Sequence, residues 1–136
     1  MKNTLIDTGP CIALFDRNDK HHHRVKSFLK TFTGNLTTSW PVVTETLHML
    51  DFSVQVQIDF MRWIHRGALV IATLTTEDLE RIMALSDKYK DLPMDFADAT
   101  LLVIAEKENI KDVITLDSDF RFYRINRDQM LNDLLA

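Results

Sequence analysis

The chain has 136 residues, 46% hydrophobic and 26% charged, with a net charge of −4 at neutral pH. That length suits a single domain spanning residues 1–136. Its one cysteine, Cys11, excludes an internal disulfide, and three glycines and three prolines exclude a fibrous or disordered chain. No run approaches the ~18 apolar residues of a membrane span, and an acidic balance counts mildly against a purely electrostatic nucleic-acid binder, although bound divalent metal reverses the field around a carboxylate cluster.

The opening MKNTLIDTGPCIALFDRND does not read as a signal peptide. Asp7 interrupts the apolar region and no small-residue cleavage site precedes the fold, so a cytoplasmic protein is expected. Residues 3–6 read as a short buried strand that ends at Asp7. Residues 9–16 open a helix with Pro10 in its first turn, where a missing N–H costs little. Residues 19–33 carry Val25, Phe28, Leu29 and Phe32 at helical spacing, and Gly34 closes them. Residues 35–39 read as a second strand. Pro41 starts a helix that runs to Leu50, and residues 53–66 form another that stops at Gly67.

Residues 68–72 (ALVIA) read as a third strand. Thr75 or Thr76 caps a helix over 77–89, and Asp95 caps a long apolar helix over 96–108. Residues 112–116 (DVITL) form a fourth strand, followed by Asp117 and Asp119. The tail reads as an edge strand over 122–125 and a last helix over 127–135. Strands separated by helices imply right-handed crossovers and a mostly parallel sheet covered on both faces. The expected architecture is an α/β fold, a three-layer α/β/α sandwich.

The acids fall where such a fold builds sites, outside the carboxyl ends of the strands. Asp7 follows the first strand and Asp117 the fourth. Glu45 lies just inside the helix after the second strand, and Asp98 in the first turn of the helix over 96–108. Singly, each admits a plainer role: a helix cap, a solvated helix face, a partner of the helix dipole, a turn. Together they are a set of hard oxygen ligands suited to Mg²⁺ or Mn²⁺, which can activate water against a phosphodiester. Asp7 and Asp98 also sit among apolar neighbours, where an unpaired carboxylate is costly.

Three stretches carry a family resemblance: LIDTGPCIALFDRNDKHHHRV, TTSWPVVTETLHML and DLPMDFADATLLVIAEKENIKDVITLDSDF. In order and spacing, over about residues 3–122, they resemble the PIN-domain nucleases and above all the VapC-type toxins of toxin–antitoxin pairs. The resemblance implies Mg²⁺- or Mn²⁺-dependent endoribonuclease activity on RNA, frequent homodimers and a small antitoxin protein that blocks the site. It makes Asp7, Glu45 and Asp98 the core metal ligands and Asp117 the fourth acid, with Asp119 sharing or replacing that last role. Thr8 and Thr115 become hydroxyl partners, and Asp95 a helix cap rather than a ligand.

Other signatures fit less well. DTG also marks aspartic proteases, but there it lies between strands, whereas a helical run follows here. A haloacid-dehalogenase phosphatase needs an acid at position 9, which is Gly9, and a receiver pocket needs acids before Asp7. The alternative that stands is a noncatalytic PIN-like module binding RNA or protein. His21, His22 and His23 cannot all face one metal, because neighbours on a helix diverge by about 100°. Arg121, Arg124 and Arg127 are weak candidates for contact with RNA phosphates, a solvated surface being the plainer reading. Trp40, Trp63 and the methionines are expected in the core or at a dimer interface.

Overall fold

A computed structural model of the chain describes residues 2–92 and 94–136. The strands are β1 (Asn3–Ile6), β2 (Asn35–Thr38), β3 (Leu69–Ile71), β4 (Asp112–Ile114) and β5 (Asn132–Asp133). The α-helices among the described residues are α1 (Thr8–Phe15), α2 (His22–Thr31), α3 (Trp40–Met49), α4 (Val54–His65), α5 (Leu79–Lys88) and α6 (Phe96–Glu108). All strand pairs are parallel, in the order β3-β2-β1-β4-β5. The register sets Leu5 between Thr37 of β2 and Val113 of β4. No helix among the described residues is long and apolar enough to cross a membrane.

Side chains alternate across a strand, and the two cores follow that alternation. Leu5 and Val113 join Ile82, Leu85, Leu101 and Ile104 on the side of α5 and α6. Their neighbours Ile6 and Ile114 join Cys11, Val25 and Phe60 on the side of α1, α2 and α4. Three α/β/α layers result, as the sequence implies. Every residue of α6 from Ala97 to Ala105 is buried, the condition that a helix apolar all round requires. Phe60 is wholly buried and meets Phe15 edge to face at 5.3 Å between ring centres.

The chain departs from the sequence expectations most at its end. Residues 122–125 form no edge strand, and residues 127–135 form no helix. Asn126 and Asp128 have φ of 48° and 64°, a left-handed conformation that cannot continue either element. They build a turn in which Ile125 and Gln129 exchange backbone hydrogen bonds of 2.8 and 2.9 Å. The chain then supplies β5, whose Asn132 N–H donates to Lys111 O at 2.8 Å. The open edge of β4 thus takes residues whose apolar spacing suits a helix, because its unpaired backbone groups need partners.

Smaller differences have local causes. The 19–33 helix starts only at His22, since Asp16 and Asp19 accept hydrogen bonds from Asn18 and His21 backbone N–H groups in a tight turn. The 77–89 helix opens with a separate 3-10 turn, Thr76–Asp78, under a reciprocal Thr75–Asp78 cap. β4 stops at Ile114 rather than residue 116. Trp63 packs edge-on to Phe15 at 5.4 Å, but Trp40 is 63% exposed and Met49, Met61, Met83 and Met130 are exposed too, so these do not belong to the core.

Candidate metal centre

β1 runs out at the C-terminal edge of the sheet, and Asp7 is its next residue. Its N–H still donates to Ile114 O at 3.0 Å, which holds it beside the end of β4. Asp7 caps α1 by accepting from the Thr8 N–H at 2.8 Å. Its second oxygen accepts from the Thr115 hydroxyl at 2.9 Å. Thr115 in turn accepts from the Asp117 N–H at 3.0 Å, so one hydroxyl ties the first acid to the loop of the last. Asp117 caps the short 3-10 turn Ser118–Arg121 by accepting from the Asp119 N–H at 2.9 Å.

Asp98 reaches the same edge from α6. Its N–H donates to Asp95 at 2.8 Å, in a reciprocal cap that fixes the first turn. Glu45, on α3, accepts from the Thr8 hydroxyl at 2.7 Å. Behind the acids lies a set of buried hydroxyls that sequence reading passed over. Thr38 donates to Ile6 O at 2.8 Å, and Ser39, the cap of α3, shares a 2.8 Å hydrogen bond with Thr100 of α6. These bonds clamp together the elements that carry Asp7, Glu45 and Asp98. A Ser before Trp-Pro marks the α3 cap in the sequence, but its bond to Thr100 has no local signal.

Asp7, Asp98 and Asp117 each offer a carboxylate oxygen, and these three lie within 4.8 Å of one another. Glu45 and Asp95 line the same cleft of about 350 Å³, outside that tight group. Asp95 is therefore both a cap and a wall of the cleft. Asp119 points its backbone, not its carboxylate, into the hydrogen bonding of the cluster. Arg121 lines a neighbouring groove. Arg124 is folded back onto the carbonyls of Arg121 and Tyr123, and Arg127 lies exposed in the turn between Ile125 and Gln129. His22 is buried with its ring nitrogen 2.7 Å from Ala13 O, so the histidine run is partly structural.

Burial first, then the surrounding charges Asp117 and Asp95, pushes Asp7 up to about 6 against the hydrogen bonds from Thr8 and Thr115. Asp98 is pushed up to about 8 by burial and then by Asp7 and Asp95. Glu45 is raised by burial, with nearby Asp95 adding to it. Ion pairs among the described residues, such as Lys2–Asp112 and Arg81–Glu106, lie elsewhere. Three mutually repelling carboxylates, in a cleft lined by no cationic side chain among the described residues, form a donor set that fits a hard divalent cation, whose ligand oxygens stand at ~2.0–2.6 Å. Tyr123 adds a buried hydroxyl that has no hydrogen-bond partner among the described residues.

The molecule is thus a parallel sheet between two helical layers, with acids converging at the sheet's C-terminal edge. The PIN domain family model matches residues 4–127, and the chain belongs to that family. Ribonuclease VapC26 of Mycobacterium tuberculosis (strain ATCC 25618 / H37Rv) is 27% identical over 115 residues, 83% of this chain and 85% of that protein. The crystal structure of M. tuberculosis VapC20, described as a sarcin-ricin loop cleaving toxin, superposes with a TM-score of 0.78 at 19% identity, covering 85% of this chain and 91% of VapC20. VapBC2 of Rickettsia felis, solved with a DNA fragment from its promoter, gives 0.63 at 13% identity over 96% and 98% of the two chains. These likenesses agree with the VapC-type resemblance read from the sequence, and the two solved structures share the fold.

Proposed function

We propose that the protein is a Mg²⁺- or Mn²⁺-dependent endoribonuclease that serves as the toxin of a toxin–antitoxin pair. The carrying observation is the convergence of Asp7, Asp98 and Asp117 from the end of β1, α6 and the loop after β4, in a cleft lined by no cationic side chain among the described residues. In this reading those three acids hold the ion, and Glu45, braced by Thr8, is a fourth carboxylate at the rim. Asp119 supports Asp117 through its backbone, and Thr115 keeps Asp7 oriented. When bound, the ion supplies Lewis-acid stabilisation of charge on the phosphoryl oxygens and eases proton loss from water. Water then displaces the 3′ oxygen in line, and a single strand is the better substrate because it can be splayed into a cleft.

Residues 1–136 act as one domain in this reading, in the cytoplasm, where the buried Cys11 stays reduced. VapC26 is named a ribonuclease, VapC20 a sarcin-ricin loop cleaving toxin, and VapBC2 is bound to a DNA fragment from its promoter; those names support a matching activity here and, with the VapC-type resemblance, a small antitoxin partner. A homodimer is proposed as well, through the groove walled by exposed Trp40, Leu79 and Phe96. Cleavage of a labelled, structured RNA with Mg²⁺, Mn²⁺ or EDTA tests the activity, beside Asp7→Asn and Asp98→Asn. Metal-dependent cutting lost in both variants is expected. Cutting that survives both variants, or persists in EDTA, refutes the assignment, and metal titration without any cutting points to a binding module.

A further inference from the structure

We propose that the groove opening beside Asp117 is a binding track for the phosphates of the RNA strand, with Arg24 and Arg121 as its cations and the His21 ring beside them as a hydrogen-bonding group. The inference rests on the nuclease reading above and names how the substrate is held. Among the described residues, the cleft of the acids is lined by no Lys, Arg or His. A polyanion drawn to the ion there must be gripped from outside. Past Glu45 and Asp95 the surface continues over Trp40, Pro41 and Phe96, again without a cation.

Past Leu116 and Asp117 it opens instead into a groove of about 480 Å³ lined by His21, Arg24 and Arg121. They come from separate places: the residue before α2, the first turn of α2, and the end of the 3-10 turn that Asp117 caps. The groove thus shares Asp117 with the metal centre and adds positive charge on the far side of it. Asp133 also lines this groove as a carboxylate, its Oδ1 accepting from the Leu135 N–H at 3.0 Å, so the two arginines must draw the phosphates past it. Arg24 donates to Leu135 O with one of its five N–H groups, and among the described residues no other acceptor is recorded for the remaining four. Arg121 lies over the Phe122 ring, 5.2 Å from its centre, which orients an otherwise flexible guanidinium. Of the arginines near the last acid, only Arg121 faces this groove; Arg24 and His21 come from a part of the chain about 100 residues away.

The test is binding of a fluorescent single-stranded RNA, with Ca²⁺ replacing the activating ion, followed by anisotropy across a range of salt concentrations. Removing a phosphate contact lowers the slope of log K against log salt by about 0.7 for a single strand. Arg121→Ala and Arg24→Gln are each expected to do so, with binding weakened about 5- to 10-fold at low salt and cleavage showing a raised KM with kcat kept. Arg24→Lys, which keeps the charge, is expected to retain the wild-type slope and separates charge from the structural bond to Leu135. Unchanged slopes in Arg121→Ala and Arg24→Gln, while wild type binds and cuts RNA, overturn the track and leave the groove to an acidic protein partner. Failure of the wild type to bind or cut any RNA overturns the nuclease reading itself.

Discussion

Replacing Asp7 by Asn tests whether the site is built against stability. Burial lifts Asp7 from 3.8 to about 6. A carboxyl whose folded pKa exceeds its unfolded value binds more protons when folded, so its contribution favours folding at low pH and is lost as pH rises from about 4 through about 6. The gap of roughly two pH units is worth ~3 kcal/mol at ~1.4 kcal/mol per unit. Asn keeps the hydrogen bond from the Thr8 N–H and can donate to the Thr115 hydroxyl, so rearrangement removes about 1 kcal/mol of that gain. In EDTA at pH 8, Asp7→Asn is therefore expected to be about 2 kcal/mol more stable than wild type, or roughly 5 to 8 °C in Tm for a domain of this size.

Divalent ion should reverse the ranking. An ion at 100 times its Kd stabilises the wild type by ~2.7 kcal/mol, and the variant, missing one of three carboxylates, gains less. Urea and thermal unfolding between about pH 5 and pH 8.5, each in EDTA and in MnCl₂, measure all four quantities. Wild-type stability in EDTA should fall across that range, because Asp98 at about 8 continues the loss above Asp7. A variant that melts below wild type in EDTA at pH 8, or a wild type whose ion-free stability does not change with pH, refutes the reasoning.

Thr115→Val removes the hydroxyl shared by Asp7 and Asp117; calorimetric Mn²⁺ titration should show affinity down about 10-fold, the range for groups that orient ligands. Asp119→Asn should change Mn²⁺ affinity less than about 3-fold while Asp117→Asn changes it at least 10-fold, since of these two Asp117 is the one whose carboxylate oxygen joins those of Asp7 and Asp98. Tyr123→Phe deletes a buried hydroxyl that has no hydrogen-bond partner among the described residues, so urea unfolding in EDTA should show stability unchanged or higher by up to about 1 kcal/mol. Phe60→Ala, at a wholly buried ring between Phe15 and Trp63, should cost about 3 to 4 kcal/mol.

Much of the molecule is legible in local pattern. Short runs that end at an acid, at 3–6 before Asp7 and 112–116 before Asp117, mark strands that stop at a sheet edge, and the family resemblance rests on those same stretches. Asp98 is legible as the third residue of a capped helix. Glu45 is less so, because its partner is Thr8, 37 residues away, and the contact exists only once α1 and α3 pack. The tail misleads for a related reason. Met130, Leu131, Leu134 and Leu135 have the spacing of a helix, but the unpaired edge of β4 offers backbone partners that an isolated short helix cannot match.

What the sequence by itself determines is the order of elements from β1 to β4, the parallel α/β class and the list of acids that emerge at the strand ends. These follow from side-chain periodicity and from residues adjacent in the chain. The tertiary structure alone decides which acids share a point in space, how far burial raises Asp7 and Asp98, and that Arg24 and His21 stand beside Asp117. Those properties depend on distances and on solvent excluded by residues far apart in sequence, and no local spacing encodes them.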